Sequence, residues 1–256
     1  MKHKKILVFL AVLINVGSAF SQRGFQNLKE YDFEPYHFGF LLGVNNMGFS
    51  IKPDATTYNS IFPAEDFGGQ TGQTALLKSV EPMSTTGFTI GIVGNLRISN
   101  HFDLRFIPSL SFGERDLVYN YIVSTPATKD DTITLQKNLK STLLEFPLMI
   151  KYKGDRITNA RPYIIGGLKY VMDLSSDANK STSNASNDLF TVKLKSSDVY
   201  AELGAGFDFY FDWFKMSLEA KMSYGLKDVL IHDNTMFTNS ITRLNSKIFQ
   251  LSLTFE

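Results

Sequence analysis

The chain has 256 residues, a formal net charge of +1, a mean hydropathy of −0.07 and no cysteine. Near-neutrality supplies no field for nucleic acid or acidic partners, and the lack of thiols excludes disulfides, thiolate metal sites and a cysteine nucleophile. The hydropathy excludes a helical membrane bundle but not a β-barrel, in which apolar and polar residues alternate.

Lys2, Lys4 and Lys5 precede an apolar run from Ile6 to Val16, and Ala19-Phe20-Ser21 puts small residues at −3 and −1. This predicts a signal peptide over 1–21 with cleavage before Gln22. The apolar run is far short of the ~20 residues a spanning helix needs. Residues 22–35 are polar and aromatic without a period and read as a periplasmic strap, and 36–256 read as one barrel domain.

The first strand runs from Tyr36 to about Ile51, with Phe38, Phe40, Leu42 and Val44 on one face. Lys52 to Ser84 reads as irregular. The second strand, Thr85 to Ile98, alternates Phe88, Ile90, Ile92 and Leu96 with Gly87, Thr89, Gly91 and Asn95, and a short turn follows at Ser99–His101. The third, Phe102 to about Tyr119, sets Leu104, Phe106 and Leu110 against Asp103, Arg105 and Ser109. Pro108 inside it signals an edge or bulge.

Ser124 to Asn138 reads as a polar loop. The fourth strand covers Leu139 to Tyr152 and the fifth Arg161 to Asp173, with a shorter turn between them. Leu174 to Lys195 is loop-like, rich in Ser, Asn, Asp and Thr. The sixth strand, Val199 to Phe211, is the clearest: Val199, Ala201, Leu203, Ala205, Phe207, Phe209 and Phe211 form one apolar face. A turn at Asp212-Trp213 leads to the seventh, Phe214 to Gly225. Asp228 to Ser246 reads as a loop, and the last strand is Lys247 to Glu256.

Eight strands joined by alternating long and short connections predict an all-β fold: an antiparallel up-and-down transmembrane β-barrel with long extracellular loops and short periplasmic turns. A soluble barrel would point the apolar face inward instead. Three features favour lipid outside. Glycines concentrate on the polar face (Gly39, Gly43, Gly87, Gly91, Gly113, Gly204, Gly206, Gly225), where a narrow lumen is crowded. Aromatics such as Phe102, Phe211 and Tyr224 stand near strand ends, as interfacial girdles require. The chain is also read as exported.

With that choice Arg97, Arg105, Lys151, Lys169, Lys215 and Lys221 point inward, as do Asp103, Glu145, Glu202, Asp208 and Glu219. Opposed charges in so narrow a lumen predict a plug of ion pairs rather than a conducting pore, because an unpaired buried charge is costly. No cofactor, metal or nucleic-acid site is predicted, and no enzyme; outer-membrane lipid is the expected partner, and the oligomeric state is left open. The weak chemical candidates are a His232-Asp233 rim pair, Glu202 with Glu219 as an acid/base couple, and Asp130-Asp131 for calcium. Gly204-Ala-Gly206 lies within a strand and reads as packing, not as a phosphate loop.

Several segments resemble the PorT-type barrel of the type IX secretion system, called SprT in gliding bacteria. They are His37–Asn45, Phe102–Arg115, Leu144–Tyr152, Arg161–Tyr170, Gly204–Tyr210 and Lys247–Glu256. Of these, Leu144-Glu-Phe-Pro147 and Arg161-Pro-Tyr163 also recur in generic outer-membrane barrels, whereas Phe38–Asn45 and Phe102–Arg115 are more specific. The resemblance implies an accessory, non-enzymatic barrel needed for cargo export and for gliding motility where present, in contact with other secretion components. It also implies that Pro108 is tolerated. The alternative is a general structural or adhesive small barrel, OmpX-like and not tied to secretion; a barrel hydrolase is a third reading.

Overall fold

The computed structural model describes residues 26–54, 61–63, 74–125, 128–176, 192–233 and 236–256. The predicted signal segment lies outside the described residues. Ten strands follow in order: β1 Tyr36–Pro53, β2 Ile61–Pro63, β3 Thr74–Arg97, β4 Phe102–Phe106, β5 Ser109–Thr125, β6 Thr128–Lys153, β7 Ala160–Asp173, β8 Ser197–Tyr210, β9 Lys215–Gly225 and β10 Ile241–Phe255. A 3-10 turn at Tyr31–Phe33 precedes β1, and a one-turn helix, α1, spans Met236–Asn239.

The sheet closes on itself. Neighbouring strands pair antiparallel, and β1 pairs β3 on one side and β10 on the other. β4 and β5 are one stave, and β2 pairs only with the far end of β3, so the ten strands make a ring of eight staves. Closure leaves the ring no free edge.

The break between β4 and β5 falls at Ile107-Pro108. The register runs through it without a shift: Gly94 faces Phe106 and Gly91 faces Ser109 on β3, while Phe106 faces Leu148 and Ser109 faces Glu145 on β6. The Ile92 amide donates to Pro108 O at 3.0 Å and the Ile107 amide to Pro147 O at 3.4 Å. Each proline withholds only the return bond of its pair. The expected edge or bulge is thus a local gap in an otherwise continuous stave.

Around the ring the apolar faces point outward. Leu203 is 70 % exposed and Glu202 4 %, and Phe38, Phe40, Ile92, Leu148, Ile164 and Phe207 are exposed like Leu203. Such a surface contacts lipid, because a soluble chain does not leave an unbroken apolar belt in water.

Above the belt the two faces exchange character. Past Gly113 on β5 and Ser141 on β6, the inward column changes from charged and small residues to Leu117, Tyr119 and Tyr121, with Leu135 and Leu139 packed beside them. The outward column changes from Leu144, Phe146 and Leu148 to the exposed Thr132, Thr134, Gln136, Asn138 and Lys140. Here β3, β5 and β6 continue as a three-stranded sheet over an apolar core that also takes in Val192, Leu194, Val229, Leu230, Phe237, Ile241 and Leu244. This platform corrects three predicted loops. β3 begins at Thr74 within the stretch read as irregular, β6 at Thr128 within the polar loop, and α1 with the start of β10 occupies much of Asp228–Ser246. In water a strand buries its inward face and wets its outward one, the reverse of its arrangement in lipid.

Candidate functional site: the charged lumen

Strand alternation delivers the inward residues, and the register decides which of them meet. They form one chain of alternating sign across the lumen. Lys215 pairs with Glu256, and Glu256 Oε1 lies 2.6 Å from Arg105 Nη2. Arg105 Nη1 lies 3.0 Å from Glu219 Oε2; Lys221 then stands 3.2 Å from both Glu219 Oε1 and Glu202 Oε1. Lys169 follows, 3.0 Å from Glu202 and 3.1 Å from Glu145, which ends the chain. Every one of these side chains is buried.

Hydroxyls add further hydrogen bonds, although Arg105 Nε and Glu145 Oε1 have no hydrogen-bond partner among the described residues. Tyr163 donates to Glu219 at 2.8 Å, Ser223 to Glu202 at 2.8 Å, and Arg105 donates to Thr254 at 3.2 Å. A separate pair lies alongside: Lys151 Nζ donates to both Asp208 oxygens, at 2.8 and 2.7 Å, and Ser217 donates to the same carboxylate at 2.6 Å. Charges this deep persist only when each meets an opposite charge and further hydrogen bonds.

Space is tight. A Cβ on Gly206 would lie 2.6 Å from the Tyr163 ring and 2.5 Å from Leu218 O. Gly206→Ala should therefore displace Tyr163 from Glu219 and cost about 1–3 kcal/mol, read as a lowered urea midpoint in lipid vesicles. Small cavities of about 10 Å³ each adjoin Arg115 and Asp173 at one end and Asp103 and Lys153 at the other. Each has room for about one water.

Both ends of the lumen are covered. At the turn rim, the strap lays Tyr31 over the mouth. Its hydroxyl donates to Glu256 at 3.1 Å, its ring stacks on His37 at 3.8 Å, and His37 Nε2 donates to Tyr31 O at 2.8 Å. Burial and the Glu256 carboxylate push the Tyr31 phenol far above its usual range, so it stays a donor. Next to it Asp32 accepts from Arg161 at 3.0 Å and from Tyr210 at 2.9 Å. At the loop rim Arg115 binds Asp173 at 2.6 Å, Ser141 at 2.8 Å and Ser246 at 3.0 Å, directly beneath the apolar platform core.

The sequence profile described as Outer membrane protein beta-barrel domain matches residues 20–230. The chain belongs to that family. No curated protein matches it. Among solved structures it is similar to the outer membrane protein OprG from Pseudomonas aeruginosa, at 12 % identity over 91 % of this chain and 96 % of that one, with a TM-score of 0.40. It is likewise similar to Neisserial surface protein A, at 13 % identity over 86 % and 98 % with a TM-score of 0.40. A third is Ail, the attachment invasion locus protein of Yersinia pestis, at 10 % over 87 % and 98 % with a TM-score of 0.36. Likeness at this level carries no argument about mechanism; the barrel is established by its own register and by the family.

Of the predicted inward charges in this outer-membrane barrel, Asp103, Arg105, Glu145, Lys151, Lys169, Glu202, Asp208, Lys215, Glu219 and Lys221 are buried in the lumen. Arg97 is not in the network. It ends β3 at the turn rim, donating to Phe33 O at 3.1 Å and Asn100 Oδ1 at 2.6 Å. Asp103 pairs with Lys153 at 2.6 Å. Glu256, Arg115, Lys153, Asp173 and Asp198 are further inward charges among the described residues. Glu256 was visible as the last inward position after Gln250, Ser252 and Thr254.

His232 does not pair with Asp233. It stands 3.1 Å from Asp228, and Asp233 faces Lys193 at 3.4 Å, because the loop turns back at Asp228. The side chains of Asp130 and Asp131 lie outside those described. Partial burial opposes ionisation of Asp228, but the Leu244 and Leu230 amides and His232 outweigh it and hold the carboxyl below its usual range. A depressed carboxyl contributes stability above its unfolded pKa of about 3.9 and loses it as pH falls through the folded value. Hydrogen exchange at the Leu230 and Leu244 amides should accordingly stay protected at neutral pH and accelerate only below about pH 4.

Proposed function

We propose that this outer-membrane barrel is a non-conducting structural module that works through its loop-rim platform. The observation that carries the reading is the exchange of faces above the lipid belt. The chain builds a second, water-facing sheet with its own apolar core, directly above a lumen closed by ion pairs. A pore would need neither. Support for a non-enzymatic role comes from the inward carboxylates: Glu202 and Glu219, the couple a barrel hydrolase would use, each stand between cations.

Replacing Asp116–Asn138 by a tight two-residue turn separates barrel from platform. On this reading the shortened chain keeps its heat-modifiable migration on gels, loses surface attachment of the cells that carry it, and passes no current in planar bilayers, like the full chain. Discrete conductance steps from the full chain would overturn the reading.

A second reading is favoured by the Phe38–Asn45 and Phe102–Arg115 resemblance and by the firmly held strap on the turn rim, which offers a shaped periplasmic surface. In it the barrel is an accessory of type IX secretion. Cargo secretion and gliding measured in a deletion strain decide between them: normal secretion removes the second reading, and lost secretion replaces the first.

A further inference from the structure

The cations on the outer wall are not arranged like those in the lumen. Lys52 on β1 and Arg243 on β10 are directly opposite each other, both exposed, and Lys247 follows on the same face of β10. Like charges directly opposite on paired strands repel. None of the three forms an ion pair among the described residues, whereas the lumen cations Lys151, Lys169, Lys215 and Lys221 are all paired. Arg243 Nη2 donates to Leu226 O at 2.7 Å, which holds the guanidinium against the end of β9.

Their height is as informative as their charge. Immediately below Lys247 the outward column of β10 is Phe249, Leu251 and Leu253, all exposed to lipid, and Tyr224 on β9 stands opposite Lys247. At about 3.4 Å per residue and a tilt of about 40°, Lys247 is roughly 20 Å along the membrane normal from Phe255 at the turn rim. That is close to the height of the apolar band of such barrels, about 25 Å. Lys247 thus stands where the headgroups of the loop-side leaflet begin, and Lys52 and Arg243, four residues further along the two strands, stand about 10 Å above it. On the opposite wall the matching cation, Lys140, has a carboxylate, Glu114, directly across the strands rather than a second cation.

We propose that the β1–β10 wall binds the phosphorylated headgroup of a loop-side leaflet lipid. The phosphate would sit between Lys52 and Arg243 with Lys247 beneath it, and the acyl chains would lie on Phe249 and Leu251. An anion between Lys52 and Arg243 converts their repulsion into two charge-assisted contacts, and Arg243 suits a phosphate geometrically. The inference is independent of whether the platform or the strap serves a partner.

The test is a titration of the detergent-solubilised full chain with dioleoyl phosphatidic acid, followed by native mass spectrometry. Dioleoyl phosphatidylcholine, with the same acyl chains and a zwitterionic headgroup, is the control lipid. The variants are Lys52→Gln/Arg243→Gln/Lys247→Gln and, on the opposite wall, Lys140→Gln. Heat-modifiable migration verifies that each is folded. At about fivefold per cation near an anionic headgroup, the triple variant should bind phosphatidic acid about a hundredfold more weakly, and Lys140→Gln should bind as the parent does. Equal affinity in parent and triple variant, or equal affinity of the parent for the two lipids, would overturn the proposal. So would full displacement of phosphatidic acid by millimolar inorganic phosphate, which would make the site one for free anions.

Discussion

Replacing Lys151 by methionine should lower the unfolding free energy by about 3–5 kcal/mol, and Asp208→Leu should cost about as much. Each change strands a charge that has no route to water: Lys151 and Asp208 are fully buried and bonded to each other through both carboxylate oxygens. The double variant Lys151→Met/Asp208→Leu should recover most of the loss, since an apolar pair of similar volume removes the need to desolvate either ion. It will not recover all of it, because Ser217 also loses its acceptor. Urea unfolding in lipid vesicles, followed by fluorescence of Trp213, the single tryptophan of the sequence, supplies the three free energies and the coupling between them. A loss below about 1 kcal/mol for both single variants would describe ion pairs bathed in water, and the lumen would then be an open channel.

The second large effect lies above the membrane. Phe237→Ala should cost about 3–5 kcal/mol, as removal of a buried aromatic does. Phe237 is 1 % exposed, meets Tyr119 edge-on at 5.1 Å and accepts at its carbonyl from Tyr119 at 3.3 Å and from Ser240 at 2.7 Å. The loss should be local. Amides of Leu117, Tyr119 and Tyr121 should lose protection from exchange while those of β8 and β9 keep theirs, because the platform core shares few side chains with the lumen. If protection fell equally in β8 and β9, platform and barrel would be one cooperative unit.

The staves were legible because lipid and lumen make opposite demands on successive residues. Leu203 against Glu202, or Phe207 against Asp208, states the face and the period at once. The platform was not, although its alternation is as regular: Ile133, Leu135 and Leu139 interleave with Thr134, Gln136 and Asn138. Its outward residues are those of a wetted strand, so a search for apolar outward faces passes over it. The short β2 and α1 carry no period of their own.

The lumen was legible as a set of charges but not as a chain. That Arg105 would meet Glu219 and Glu256, distant in sequence, depends on the stagger with which the ring closes, which no single strand encodes. Arg115 was missed because it stands at the level where the inward column changes from polar to apolar. The strap contacts of Tyr31 and Asp32 follow from a segment with no period, and nothing in its residues alone marked it as a cap.

The central claim is that the greasy face of each stave meets acyl chains while its polar face is packed out of reach. The chain's lack of cysteine makes single-cysteine nitroxide labelling clean. Labels placed one at a time from Ala201 to Phe209 in lipid vesicles should show an oxygen accessibility of period two. It should be high at Ala201, Leu203, Ala205, Phe207 and Phe209 and low between them, with a water-soluble nickel relaxant reaching neither set. Relaxation by nickel at Leu203 and Phe207, or no alternation along the strand, would contradict the account.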